Sequence, residues 1–221
     1  MADAKPTILV FSQEGIEGGL KKIKEKANVY QASYSKPNEP EKLLQEHPTA
    51  RAIWIVDPDI TTRKHENLSW DVINYVRNGG TAILGGYFQD TIAPPDFDRW
   101  MGEAWGLPWR YGQYETTTVV LQSSAVGPRE FWRNGLAASY SQKGVFLKNV
   151  AATDSWYASP PGSKSESFVF GPVPVDAQTS IAFGKVGNGW LGWTGDIHYR
   201  EETAAAVRAM MGLNAEPEAH P

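Results

Sequence analysis

The chain predicts an α/β fold: a three-layer sandwich on a mostly parallel sheet, with a small antiparallel extension. Three observations carry this. Short apolar runs recur at residues 7–12, 50–56 and 81–84, and runs of that length suit strands covered on both faces. Between the second and third runs, Leu68, Val72, Tyr75 and Val76 fall at i, i+4, i+7 and i+8, the spacing of one helix face. A strand–helix–strand order of this kind is the mark of parallel pairing.

The elements follow in order. Residues 7–12 (TILVFS) form the first strand and run into the polar Ser12-Gln13-Glu14-Gly15. Lys21, Lys22, Lys24 and Lys26, interrupted by Glu25, read as a solvated helical face. Residues 30–34 alternate weakly and suit a second strand, and Glu39-Pro40-Glu41 opens a short helix carrying Leu43 and Leu44. The strand at 50–56 stops at Asp57-Pro58-Asp59, where proline breaks a ladder. The helix over 65–78 ends at Gly79-Gly80, a C-terminal stop. The strand at 81–84 then enters the turn Gly85-Gly86-Tyr87.

Residues 91–175 read differently. A helix is expected over 97–105, then strands at 115–122, 144–150 and 167–175 without clear helices between them, which predicts antiparallel pairing. The run 159–165 (SPPGSKS) is an exposed loop. Strands at 180–186 and 190–193 flank Gly187-Asn188-Gly189, and Asn-Gly is a strong hairpin signal. Glu201 and Glu202 open the last helix, Ala204, Val207 and Met211 mark its inner face, and Gly212 ends it. Residues 1–214 are expected to form one domain, with the antiparallel, Trp-rich section inserted at about 91–175 and a loose tail at 215–221.

Composition excludes several functions. The net charge of −4 over 221 residues argues against a general attraction to nucleic acid. There is no cysteine, hence no disulfide, thiolate nucleophile or Cys-type zinc site. Residues 1–6 lack the pattern of a signal peptide, and no apolar run approaches the roughly 20 residues that cross a bilayer. The expectation is a cytoplasmic protein that binds neither membrane nor nucleic acid and needs no cofactor.

Three blocks also point to a family: residues 8–12, the stretch YVRNGGTAILGG at 75–86, and GWLGWTGDIH at 189–198. Together they resemble the class I glutamine amidotransferase-like superfamily, especially its trehalose-utilisation (ThuA-like) branch and uncharacterised fungal proteins of the same pattern. The resemblance covers roughly residues 7–90 and 180–212. It implies a flavodoxin-like sheet with a cleft at a strand-to-turn elbow. At that elbow Gly85 fits the first glycine, and Tyr87 stands where the family has its cysteine, with Gly86 as the alternative register. The second glycine is missing, and the later His-x-Glu is matched only by His198 with Glu201 one residue late. A phenol with an ordinary pKa near 10 is a poor acyl acceptor at neutral pH. Glutaminase and cysteine-peptidase activity are therefore not expected.

Ligands in open α/β sheets favour the carboxyl ends of the strands. The assignment gathers Glu14, Asp57, Asp59, Tyr87, Gln89, Asp90, Asp196 and His198 there. The leading expectation is a non-glutaminase protein that binds a small polar ligand or a protein partner, using Glu14, Asp57, Gly85, Gly86 and Trp193. A second reading is a hydrolase or isomerase acting on a sugar-like compound. It has His198 as general base, Asp196 as its orienter and Tyr87 as acid or hydrogen-bond donor. A plainer reading has Asp196 capping the last helix with His198 beside it. Asp57-Pro58-Asp59 equally suits a turn. No metal site is expected, because Asp196-x-His198 supplies two ligands where three are usual. A third reading is an interaction module built on Trp100, Trp105, Trp109 and Trp132, residues that equally suit core filling.

Overall fold

A computed structural model describes residues 4–13, 19–128, 132–166, 171–175 and 178–214. Nine strands are present among them: β1 (Thr7–Ser12), β2 (Asn28–Ser33), β3 (Ala52–Ile55), β4 (Thr81–Leu84), β5 (Arg110–Leu121), β6 (Ser139–Lys148), β7 (Ser155–Ala158), β8 (Thr179–Val186) and β9 (Gly189–Thr194). The helices are α1 (Lys21–Lys26), α2 (Glu39–Glu46), α3 (Glu66–Arg77), α4 (Phe88–Thr91), α5 (Pro94–Trp100) and α6 (Glu201–Met210). Two short 3₁₀ turns, Pro58–Thr61 and Arg63–His65, link β3 to α3. A π-helical turn, Met101–Trp105, extends α5.

One sheet holds all nine strands, in the order β2-β1-β3-β4-β9-β8-β6-β5-β7. The pairings from β2 through β1, β3 and β4 to β9 are parallel. β3 and β4 are four residues each and wholly buried. Side chains of this half alternate between two apolar clusters. Leu9, Phe11, Ile53 and Ile55 face one cluster with Leu44 of α2 and Leu68, Val72 and Val76 of α3. Ile8, Val10, Trp54 and Val56 face the other with Ile23 of α1 and Val207 and Met210 of α6.

The flavodoxin-like, mostly parallel sheet expected from the sequence is corrected. All pairings beyond β9 are antiparallel, and they outnumber the parallel ones. β8, β6, β5 and β7 pair in succession, and β7 pairs again with β8. This half therefore closes on itself as an antiparallel barrel, which removes its free edges. It is no small extension, since β5 and β6 are the longest strands present, with twelve and ten residues. Its strands share the sheet and the apolar clusters of the parallel half. Trp156 and Phe183 meet edge to face at 5.0 Å, and Trp132 stacks on Trp156 at 4.0 Å.

Smaller differences have local reasons. The strand expected at 167–175 begins in residues outside the described set, and the remainder makes one isolated bridge, Lys164 to Pro174. β7 is an addition to the strands the sequence predicts. The hairpin between β8 and β9 turns at Gly187 with φ +59°, one residue before the Asn-Gly pair. The expected helix over 97–105 begins at Pro94 and changes to π spacing at Met101.

Candidate ligand-binding rim

The carboxyl ends of β1, β3, β4 and β9 lie side by side, and the loops leaving them form a rim. After β4, Gly85 donates its N–H to Ile55 O at 3.1 Å and Tyr87 donates to Val56 O at 2.9 Å. Gly86 between them has φ +87°, a conformation that only glycine adopts cheaply. A Cβ on Gly86 would also lie 2.8 Å from Val56 Cγ1. The turn throws Tyr87 outward, and the residue is 53% exposed. Glycine at 85 has a different cause: a Cβ there would stand 2.2 Å from Thr194 Oγ1 of β9.

Gln89 ties this elbow to the loop after β9. It has no exposed surface. Its Nε2 donates to Gly86 O at 2.8 Å and to Asp196 O at 3.0 Å, and its Oε1 is buried without a partner. Its own carbonyl accepts from Tyr111 Oη at 3.0 Å. One amide thus fixes the spacing of the Tyr87 and His198 loops. The sequence places Gln89 at the strand ends but assigns it no role. α4 has only four residues, too few for a periodicity that would mark the side chain as inward.

Asp196 is 1% exposed, and its carboxylate is engaged within its own loop. Oδ1 accepts from His198 N at 3.0 Å, and Oδ2 accepts from Arg200 N and Thr203 Oγ1, both at 2.8 Å. These bonds organise the turn that leads into α6; Asp196 is not its cap, since the N-cap position is Arg200 and carries no side-chain cap hydrogen bond. The orienter expectation is corrected here, because Asp196 holds the backbone amide of His198, and the His198 residue is exposed.

The other expected residues fall as follows. Asp57 lies at the rim, where its Oδ2 accepts from Gln13 N at 2.6 Å and joins the loops after β1 and β3. Glu14 lies outside the described residues. Trp193 has no exposed surface and packs against Phe88 and Phe97 at 6.3 and 5.0 Å. Its expected role as a ligand contact is corrected to core packing. Trp100, Trp105, Trp109 and Trp132 are all buried as well, so they form no exposed aromatic patch. No cluster of three metal-ligating side chains occurs among the described residues.

Beneath the rim lies a set of buried polar groups. Tyr34 is 1% exposed, its hydroxyl has no partner, and its ring meets His65 at 5.2 Å. Burial, then the charges of Asp57, Asp59 and Glu41, push the Tyr34 phenol well above its usual pKa. Burial, with the charge of Lys64, lowers that of His65 against the opposing pull of Glu41 and Asp59. Beside β9, Trp54 stacks on Tyr199 at 5.3 Å, and neither Trp54 Nε1 nor Tyr199 Oη has a partner. Tyr199 is held at φ +46°, a strained conformation for a bulky residue.

No family model matches the chain, and no curated protein matches it. The amidotransferase-like and trehalose-utilisation labels suggested by the sequence blocks find no support there. Among solved structures, the chain is similar to a cytoplasmic protein of Salmonella typhimurium LT2. That match has 12% identity and TM-score 0.51, covering 93% of this chain and 98% of the other. It is also similar to a protein of Thermoplasma acidophilum provisionally described as a GMP synthase component. That match has 10% identity and TM-score 0.51, covering 95% of this chain and 94% of the other. A β-galactosidase from Bacillus circulans sp. alkalophilus aligns at 13% identity and TM-score 0.49, over 95% of this chain and 31% of the enzyme. At such identities the likeness concerns the fold alone. No helix among the described residues is long and apolar enough to cross a membrane.

Proposed function

We propose that the protein binds a small polar ligand at the rim formed by Gln13, Asp57, Tyr87 and His198, without performing glutaminase or cysteine-peptidase chemistry. The observation that carries this is the Gln89 amide, which holds the elbow carbonyl and the Asp196 carbonyl at once. It keeps an exposed tyrosine and an exposed histidine on two loops of fixed spacing. Preorganisation of this kind favours binding, because less conformational entropy remains to be lost. The hydrolase or isomerase reading has less support. A general base at His198 needs an acceptor on its ring, and the Asp196 carboxylate is engaged by two backbone amides and a hydroxyl. A cytoplasmic location is part of the same proposal and is consistent with the description of the Salmonella neighbour.

The test is a thermal-shift panel of amino acids, nucleotides and neutral sugars on the wild type, Tyr87→Ala and His198→Ala. A ligand present at one hundred times its dissociation constant stabilises the native state by about 2.7 kcal/mol. The proposal expects at least one compound to raise the wild-type Tm and to lose that effect in Tyr87→Ala. A shift that survives both substitutions would place the ligand elsewhere and end the rim assignment.

A further inference from the structure

A second candidate site is a cavity of about 390 Å³ between α3 and the α5 segment with its π-helical turn. It sits beside the 3₁₀ turn that follows Asp57, which contributes Ile60 to its lining. Arg63, Ser69 and Trp70 stand on one wall, and Trp100 and Glu103 on the other.

The lining holds opposite charges that do not neutralise one another. Arg99 is already paired with Asp96 at 2.8 Å. The side chains of Arg63 and Glu103 take part in no ion pair or hydrogen bond among the described residues. Glu66, on the same wall as Arg63, is not paired with it. Deeper in, Ser69 is 6% exposed, and its Oγ accepts from Trp100 Nε1 at 2.9 Å. The Ser69 hydroxyl proton has no acceptor among the described residues, and a serine hydroxyl can donate as well as accept. Trp70 is exposed while Ile60 and Trp100 are buried, so the walls offer one open indole over an apolar floor.

We propose that this cavity binds a dipeptide with free ends and an aromatic side chain. Its carboxylate would meet the Arg63 guanidinium, a planar group suited to paired hydrogen bonds with a carboxylate. Its ammonium would meet Glu103 on the facing wall. The peptide carbonyl would accept from the Ser69 hydroxyl, and the ring would lie against Trp70 and Trp100. A purely anionic compound is disfavoured by Glu66 and Glu103, and a purely cationic one by Arg63 and Arg99. A single amino acid carries both charges on one carbon, a poorer match for unpaired charges on opposite walls.

The test is calorimetric titration of the full chain with glycyl-phenylalanine, its N-acetyl form and its C-terminal amide. Saturable binding of the free dipeptide is expected, with each blocked form at least about tenfold weaker. Arg63→Gln should weaken the free dipeptide at least about tenfold and leave the amide unchanged, because the amide has no carboxylate to lose. Glu103→Gln should weaken the free dipeptide and leave the N-acetyl form unchanged. Glu46→Gln, on α2 outside the cavity, should leave every affinity as it is. Circular dichroism confirms that each variant is folded. Absence of saturable binding to the wild type, or equal affinity of the free dipeptide for folded Arg63→Gln, would overturn the proposal.

Discussion

Replacing Asp196 by alanine separates a loop organiser from a catalytic group. The carboxylate is 1% exposed and accepts three hydrogen bonds. Hydrogen bonds to a charged group contribute about 1.5–3 kcal/mol each, but they are not additive here. The amides of His198 and Arg200 are partly buried, so water can take over part of their demand. Thr203 Oγ1 keeps a contact with Tyr140 Oη at 3.1 Å. The expected loss for Asp196→Ala is therefore about 3 kcal/mol, roughly a 6–12 °C fall in Tm for a chain of this size. Asp196→Asn retains one acceptor and should lose about half as much. Thr203→Val removes the shared hydroxyl, and the double variant should be less destabilised than the sum by about 1 kcal/mol. Urea unfolding followed by tryptophan fluorescence measures every variant against the wild type. A folded Asp196→Ala within about 0.5 kcal/mol of wild type would refute the reasoning and return Asp196 to the pool of chemical groups.

Further outcomes follow from the same geometry. Gly195→Ala would put a Cβ 1.8 Å from the Val145 carbonyl oxygen, a backbone clash with no flexible partner, and should abolish soluble expression. Gly86→Ala meets both positive φ and Val56, and should cost about 2–4 kcal/mol in denaturant unfolding. His65 has a lowered folded pKa, so its neutral form belongs to the native state. Its contribution is full above the unfolded pKa near 6.5 and fades as pH falls through the folded value. Stability measured from pH 7.5 downward should decline through that window, and His65→Phe should flatten the decline.

How much was legible in the sequence varies with the physics of each segment. β1, β3 and β4 show as apolar runs because both faces are covered, and α3 shows as a period because only one face is. The barrel did not show. β5 carries a mixed burial pattern along its twelve residues and a register shift between Tyr111 and Tyr114, which blurs alternation. β7 is four residues long, and its pairing to both β5 and β8 is a tertiary fact. Asp57, Gly86, Tyr87 and His198 reached the rim because they follow strand ends. Asp196 follows the same rule yet points inward, and Trp193 does not follow it at all. Trp193 sits inside β9, whose residues are almost all buried, and Asp196 is drawn down by the start of α6. Gln89 gave no warning of its role, since its two acceptors are backbone carbonyls 3 and 107 residues away.

The most direct test of the central claim is amide chemical-shift mapping of the isotopically labelled protein, titrated with the compound that gives the largest rim-dependent thermal shift. The account predicts perturbations concentrated at Gln13, Asp57, Tyr87 and His198, with Gln89 moving with both loops. Saturable perturbations confined to other faces, with those residues unmoved, would contradict it.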